Sequence, residues 1–216
     1  LHDQMISEIA SKITSHDPKI QVVLIAGPTS SGKTTFSKRL SIALLARGVN
    51  PFPLEMDNYF FDREKTPRND QGNFDFESIR ALDTLQLQAD LRSLSSGQPT
   101  PIPRYDFRTG LRAPGKVVQL HSDEIILLEG IHGLNPRLIP DYPSANLFRV
   151  YVSALTQLNL DRHNRVSTTD TRLIRRITRD ARERNYTAFD TIHRWEDVRQ
   201  GEKEYIFPYQ ENADVM

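Results

Sequence analysis

Residues 27–34 read Gly-Pro-Thr-Ser-Ser-Gly-Lys-Thr, a full G-x-x-x-x-G-K-[ST] pattern whose neighbours restrict the fold more than any other part of the chain. Before it, Gln21-Val22-Val23-Leu24-Ile25-Ala26 is a nearly unbroken apolar run of strand length, the pattern of a strand covered on both faces of a parallel sheet. After it, Phe36, Leu40, Leu44 and Leu45 recur at helical spacing until Gly48, a helix stop. Strand, glycine-bearing loop and helix in that order aim backbone N–H groups and a positive helix end at one point, where they suit phosphate oxygens. Lys33 would reach the β and γ phosphates of a nucleotide, and Thr34 would offer its hydroxyl to Mg²⁺. Gly27, Pro28, Thr29, Ser30, Ser31, Gly32, Lys33, Thr34 and Thr35 are therefore the candidate binding residues for ATP, with Mg²⁺ beside it.

The rest of the chain repeats this alternation. Met5, Ile6, Ile9 and Ile13 predict a leading helix within residues 1–18, ended by Pro18. Further strands are expected at Phe52 to Met56, Ile125 to Leu128 and Phe148 to Val152, with a helix around Leu82 to Leu94, and Ala213 to Met216 reads as the start of one more strand. Strands alternating with helices predict an α/β fold around a mainly parallel sheet, as in a doubly wound sheet, and together with the glycine-bearing motif a P-loop NTPase three-layer sandwich. Arg108 to Leu120 is expected to form a hairpin flap, and the charged residues 164–200 a helical lid that starts near Thr168. Trp195, with Ile192 and Val198 three residues to either side, predicts the buried face of a late helix.

Composition narrows the choice of partners. The 216 residues, 38% of them hydrophobic, suffice for one core and hence one domain. Lys and Arg number 28 and Asp and Glu 28, so no excess of positive charge favours nucleic acid. The absence of cysteine excludes disulfides and thiolate metal sites, and the lack of an 18-residue apolar run excludes a spanning helix, which points to a cytoplasmic protein with no membrane partner. The Leu1 start and the abrupt Met216 end predict a domain excised from a longer chain. A homo-oligomer is compatible with all of this.

Several charged residues fall where chemistry would need them. Leu54-Glu55-Met56-Asp57 puts an acid at the carboxyl end of the second strand, where ligands sit in open parallel sheets. Asp57 could take a proton from an attacking hydroxyl, hold Mg²⁺ through water, or cap a turn with Asn58. Glu129 ends the run Ile125-Ile126-Leu127-Leu128 in the manner of a Walker B acid, or as a loop acid paired to a nearby base. Arg172, Arg175, Arg176, Arg179, Arg182 and Arg184 crowd one helical stretch, either as a phosphate clamp or as a solvated face paired with Asp180 and Glu183. Arg104-Tyr105-Asp106-Phe107 could stack on a planar or sugar substrate, or pack in the core. His132, His163 and His193 lack metal-ligand spacing and read as structural.

Five stretches in order resemble the uridine kinase and phosphoribulokinase family of P-loop kinases: Gly27 to Thr35, Met56-Asp57-Asn58-Tyr59-Phe60, Pro103 to Phe107, Leu128-Glu129-Gly130-Ile131, and Thr171 to Arg176 with Arg179-Asp180. The resemblance implies Asp57 as general base, with Thr34, Asp57 and Glu129 around Mg²⁺ and the arginine helix as a lid. It also implies catalytic roles for Lys33, Arg172 and Arg175, nucleotide contacts from Arg176 and Arg179, and acceptor contacts from Asp57, Tyr59, Glu77, Arg104, Tyr105, Phe107 and Arg184. Asp75 competes with Glu77 for the acceptor's ribose.

Two departures from the family pattern stand out. Uridine-cytidine kinases carry a base-reading His where this chain has Gly110, and their lid reads Glu-Arg-Gly-Arg where this one reads Glu183-Arg184-Asn185-Tyr186. Residues 105–110, 129–136 and 153–159 look like longer uridine-kinase-like proteins that join this domain to an N-terminal module related to threonyl-tRNA synthetases. The resemblance thus implies transfer of the ATP γ-phosphoryl group to the 5′-hydroxyl of uridine or cytidine. The alternatives are another small hydroxyl acceptor such as a pentose phosphate, or a nucleotide-binding regulatory or RNA-associated module.

Overall fold

In the computed structural model, which describes residues 2–154, 161–162 and 164–216, the elements follow in the order α1 (His2–Thr14), β1 (Val22–Ala26), α2 (Lys33–Leu45), β2 (Asn50–Glu55), α3 (Thr84–Ser95), β3 (Thr100–Asp106), β4 (Leu111–Val118), β5 (Glu124–Glu129), β6 (Leu147–Tyr151), α4 (Thr168–Glu183), α5 (Ala188–His193) and α6 (Trp195–Tyr205). Four strands form one parallel sheet in the order β2-β5-β1-β6. The β2 strand lies at its edge, where Pro51 and Pro53 are tolerated despite lacking an N–H. Residues 155–159 of the stretch resembling longer relatives, and His163, lie outside the described residues.

The continuous apolar runs are explained by what covers each face. Along β1 and β5, Val22, Leu24, Ile126 and Leu128 point to one side, where Leu87, Leu91 and Leu94 of α3 pack on them. Val23, Ile25, Ile125 and Leu127 point to the other, against Ile6, Ile9 and Ile13 of α1 and Leu40 and Leu44 of α2. Strand side chains alternate with period two, so a strand buried on both faces can afford no polar position. The result is the expected three-layer sandwich.

Several local expectations are corrected by packing. Met5 is exposed, because the stripe of α1 that meets the sheet is Ile6, Ile9, Ala10 and Ile13. Ile192 is exposed at the end of α5, while Trp195 and Val198 of α6 are buried. The second strand ends at Glu55, and Met56 opens a 3-10 turn that runs to Tyr59. Val215 makes a parallel bridge to Val150, the expected start of a further strand. The flap is the antiparallel β3–β4 pair. Among the described residues, no helix is long and apolar enough to cross a membrane.

Because the strands are parallel and in register, their carboxyl ends share one edge: Glu55 lies opposite Glu129, and Ala26 opposite Tyr151. The glycine-bearing loop, the turn holding Asp57 and the segment after Glu129 all leave from that edge. The sheet thereby collects residues far apart in sequence into one cleft.

Candidate active site

The loop between β1 and α2 needs left-handed backbone at Ser30 (φ 57°) and Gly32 (φ 106°) to turn back on itself. No side chain caps the first turn of α2, so its N–H groups and the helix dipole stay available to an anion. Lys33 Nζ donates to the carbonyls of Gly27 (3.0 Å) and Pro28 (3.2 Å). Burial pulls this ammonium down to about 8 against the opposing charges of Glu129 and Asp57. The Ser31 hydroxyl is enclosed with no hydrogen-bond partner in the protein. An underbonded hydroxyl, an enclosed ammonium and uncapped amides together fit the phosphates of a nucleotide.

Thr34 Oγ1 donates to Glu129 Oε1 at 2.7 Å, which joins the first turn of α2 to the end of β5. Burial raises the Glu129 carboxyl above its ordinary range, while the Thr34 hydrogen bond and the Lys33 charge oppose the shift. Among the described residues no three His, Cys, Asp or Glu side chains form a metal cage. Mg²⁺ is held beside nucleotide phosphates by few protein oxygens and several waters, so the Thr34 and Glu129 pair with Asp57 nearby is a donor set that fits it.

Across the cleft, Asp57 stands in the 3-10 turn after β2, with Arg184 Nη2 at 3.8 Å. The guanidinium of Arg184 lies 4.0 Å above the Phe107 ring centroid. Tyr105 and Phe107 meet edge to face at 5.0 Å, and Phe60 packs on Tyr105 at 5.6 Å. The flap is tied to the turn through the Tyr105 N–H, which donates to Asn58 Oδ1. With Phe76, Glu77, Arg63, Tyr186 and Arg194, these side chains wall one continuous cleft of about 490 Å³ that also contains the glycine-bearing loop.

Helix α4 closes this cleft. Ser167 caps it by accepting from the Asp170 N–H, as the Thr-rich start predicts, and Asn185 ends it in the left-handed region (φ 58°). Asp180, fully buried, draws in Arg176 (3.3 Å), Arg179 (2.9 Å) and Arg184 (3.6 Å). Arg176 also reaches Glu77 at 3.3 Å. Arg175 lies over the loop, since a Cβ on Gly32 would come within 3.7 Å of its Nη2.

A loop shaped for phosphates thus shares its cleft with a carboxylate and an aromatic wall, beneath a helix bearing several guanidinium groups. The profile of the phosphoribulokinase / uridine kinase family matches residues 22–216, which takes in every one of these parts. The chain belongs to that family. A uridine kinase of Deinococcus deserti is 30% identical over 196 residues, spanning 90% of this chain and 86% of its own. One from Halobacterium salinarum is 28% identical over 194 residues, 89% of this chain and 77% of its own. Among solved structures, a possible uridine kinase from Bacillus stearothermophilus superposes with a TM-score of 0.63 at 21% identity, covering 98% of this chain and 96% of that one. D-glycerate 3-kinase from Cryptococcus neoformans gives 0.61 at 14%, covering 99% and 90%. These two structural likenesses speak for the fold. As a member of the phosphoribulokinase / uridine kinase family, the chain is an ATP-dependent small-molecule kinase.

Most of the residues expected at the site do meet there: Thr29, Ser30, Gly32, Lys33, Thr34, Thr35, Asp57, Glu77, Tyr105, Phe107, Glu129, Arg175, Arg176, Arg179 and Arg184 all line the cleft. Three do not. Arg172 is buried behind the loop, where Nε donates to the Thr29 carbonyl and both terminal nitrogens grip Glu202, so it positions the loop and does not face the reacting groups. Tyr59 is fully buried with its hydroxyl on Asp90, and its neighbour Phe60 takes the place expected for it. Arg104 alternates outward from Tyr105 on β3 and is exposed.

Of the two competing acids, Glu77 lines the cleft, while Asp75 accepts from the Glu77 and Ser78 N–H groups. Arg182 points to solvent, outside the cleft. His132 is buried edge-on to Tyr205 and held neutral by burial, down to about 3, and His193 stacks on Phe189, so both are structural as expected. Glu55, Arg63, Phe76 and Arg194 line the cleft without having been singled out. Only Glu55 carried a local signal, as a second acid at the same strand end.

Proposed function

We propose that this kinase transfers the γ-phosphoryl group of ATP to the 5′-hydroxyl of a pyrimidine nucleoside, uridine or cytidine. The observation that carries the reading is the chain of contacts from Asp57 through Arg184 to the Phe107 ring, at 3.8 Å and 4.0 Å, which sets a proton acceptor beside an aromatic wall able to stack a base. The names of the curated relatives, both uridine kinases, support uridine as the acceptor.

Asp57 would accept the hydroxyl proton as the oxygen attacks the γ phosphorus, and the bond from that phosphorus to the oxygen bridging to ADP would break. The loop amides, Ser31 and Lys33 would hold the phosphates, and Arg175, Arg176 and Arg179 would offset charge on the transferring group. Thr34, Glu129 and Asp57 would hold Mg²⁺, which when bound screens the phosphate oxygens. Glu77, steadied by Arg176, would accept from a ribose hydroxyl.

ADP release from ATP, measured across uridine, cytidine, other nucleosides and pentose phosphates, tests this. Uridine or cytidine should stimulate it strongly, and Asp57→Asn should lower turnover by about 10²–10⁴-fold with ATP affinity nearly unchanged. Stimulation by a pentose phosphate alone would favour the second reading, which rests on Arg63, Arg184 and Arg194 lining the same cleft. Near-normal turnover in Asp57→Asn would remove Asp57 as the base.

A further inference from the structure

Helix α6 meets Glu77 at Gly201. A Cβ added to Gly201 would lie 2.3 Å from Cβ and 3.0 Å from Cγ of Glu77, closer than unbonded carbons approach. Gly201 sits inside a regular helix, so the close approach and not its backbone calls for glycine. Both sides of the contact are held. Asp75 Oδ1 accepts from the N–H groups of Glu77 (3.2 Å) and Ser78 (3.0 Å), which fixes the main chain at Glu77. One residue beyond Gly201, the fully buried Glu202 grips Arg172, which fixes α6. The Glu77 side chain therefore runs past α6 to Arg176, whose Nη1 lies 3.3 Å from Oε1, in the wall of the cleft. Two successive residues of α6 thus serve different ends: Glu202 holds the phosphate loop at Thr29 through Arg172, and Gly201 admits the acid on the acceptor side.

We propose that Gly201 is a positioning residue for the acceptor: the room it leaves for the stem of Glu77 sets how far that carboxylate reaches into the cleft. With the reach it sets the preference for an acceptor bearing a ribose hydroxyl over one lacking it. This rests on the nucleoside reading above, in which Glu77 accepts from that hydroxyl. A methyl group at residue 201 needs about 1 Å more room than the contact offers. A displacement of that size at the Glu77 stem takes its carboxylate out of hydrogen-bond range.

The test compares kcat/KM for uridine with that for 2′-deoxyuridine and 3′-deoxyuridine in the wild type, Gly201→Ala, Glu77→Gly and the double variant, with ATP affinity read by calorimetry. The wild type should favour uridine over at least one deoxy acceptor by about tenfold or more. In Gly201→Ala the preference should shrink to within about threefold, chiefly through a higher KM for uridine, while ATP affinity holds. Glu77→Gly leaves no Cβ for the new methyl to meet, so adding Gly201→Ala to it should change nothing further. A merely structural role would lower all acceptors together and leave the preference intact, and weaker ATP binding with an intact preference would mean that α6 had moved with Glu202; either result would overturn the proposal. Should Gly201→Ala fail to fold, the double variant decides: the stability of Glu77→Gly alone is expected, and a double variant that also fails to fold would overturn the contact. A wild type that turns over neither uridine nor cytidine sinks the nucleoside reading and this inference with it. An active wild type indifferent to the ribose hydroxyls sinks the role given to Glu77 and this inference, while a preference that survives Gly201→Ala sinks this inference alone.

Discussion

Arg172 Nε lies 2.9 Å from the main-chain carbonyl of Thr29, so the helix above the cleft is fastened to the loop beneath it. The same guanidinium is held by both oxygens of the fully buried Glu202 on α6. One side chain thus joins the nucleotide loop, the lid helix and the helix behind it.

Removing one partner of a buried ion pair leaves the other uncompensated, at a cost of about 3–5 kcal/mol. Arg172→Ala should lower the urea midpoint accordingly and raise the KM for ATP, because Thr29 loses its anchor. A direct role in the transition state would instead lower kcat with the midpoint intact, and unfolding curves read beside steady-state rates tell the two apart.

Lys33 supplies a pH dependence with a definite sign. Its free-state value of about 8 means that the ammonium loses its proton above that pH, although Glu129, Asp57 and Glu77 favour the charged form and Arg179 opposes it. Triphosphate binding favours the charged form, so the complex keeps a proton that the free enzyme has lost. ATP affinity should therefore hold below pH 8 and weaken as pH rises through it, by up to about tenfold per unit. Calorimetry in buffers of different ionisation enthalpy should show proton uptake near pH 9, and Lys33→Arg should abolish it; uptake of equal size in that variant would assign the proton elsewhere.

Tyr59→Phe separates a framework residue from a substrate contact. The Tyr59 hydroxyl donates to Asp90 Oδ2 at 3.0 Å inside the core, where Gln86 also donates to Asp90. Its loss should cost about 1–3 kcal/mol of stability and leave the acceptor KM unchanged. A raised acceptor KM with unchanged stability would return Tyr59 to the acceptor site.

The parts of this molecule that were legible in the sequence are those set by local rules. The β1 run, the loop and α2 are contiguous, so period and motif define them together, and the strand-end acids follow from where the apolar runs stop. Arg63 was not legible, because nothing near it in sequence marks it; it matters only once the sheet brings residue 110 to it across 47 positions. Arg172 misled for a related reason. Helical spacing gives the face of α4 on which it lies, but the acid waiting on that face, Glu202, belongs to another helix. Tyr59 and Phe60 are adjacent aromatics, and only the course of the 3-10 turn decides which of them looks into the core.

Asp180 binds three guanidinium groups, of which Arg176 also reaches Glu77 and Arg184 also reaches Asp57. Both contacts therefore hang on a single anion, and a change that retunes Arg184 for a new acceptor also disturbs Arg176 and Arg179. The flap lacks an anion of that kind: Arg63 and Gly110 hold each other and Phe107, while Tyr105 reaches the Asp57 turn through Asn58 and Phe107 carries Arg184. A change at the tip of the flap, away from the Phe107 ring, leaves the Asp180 cluster as it is, so acceptor preference has a path there that spares the machinery of transfer.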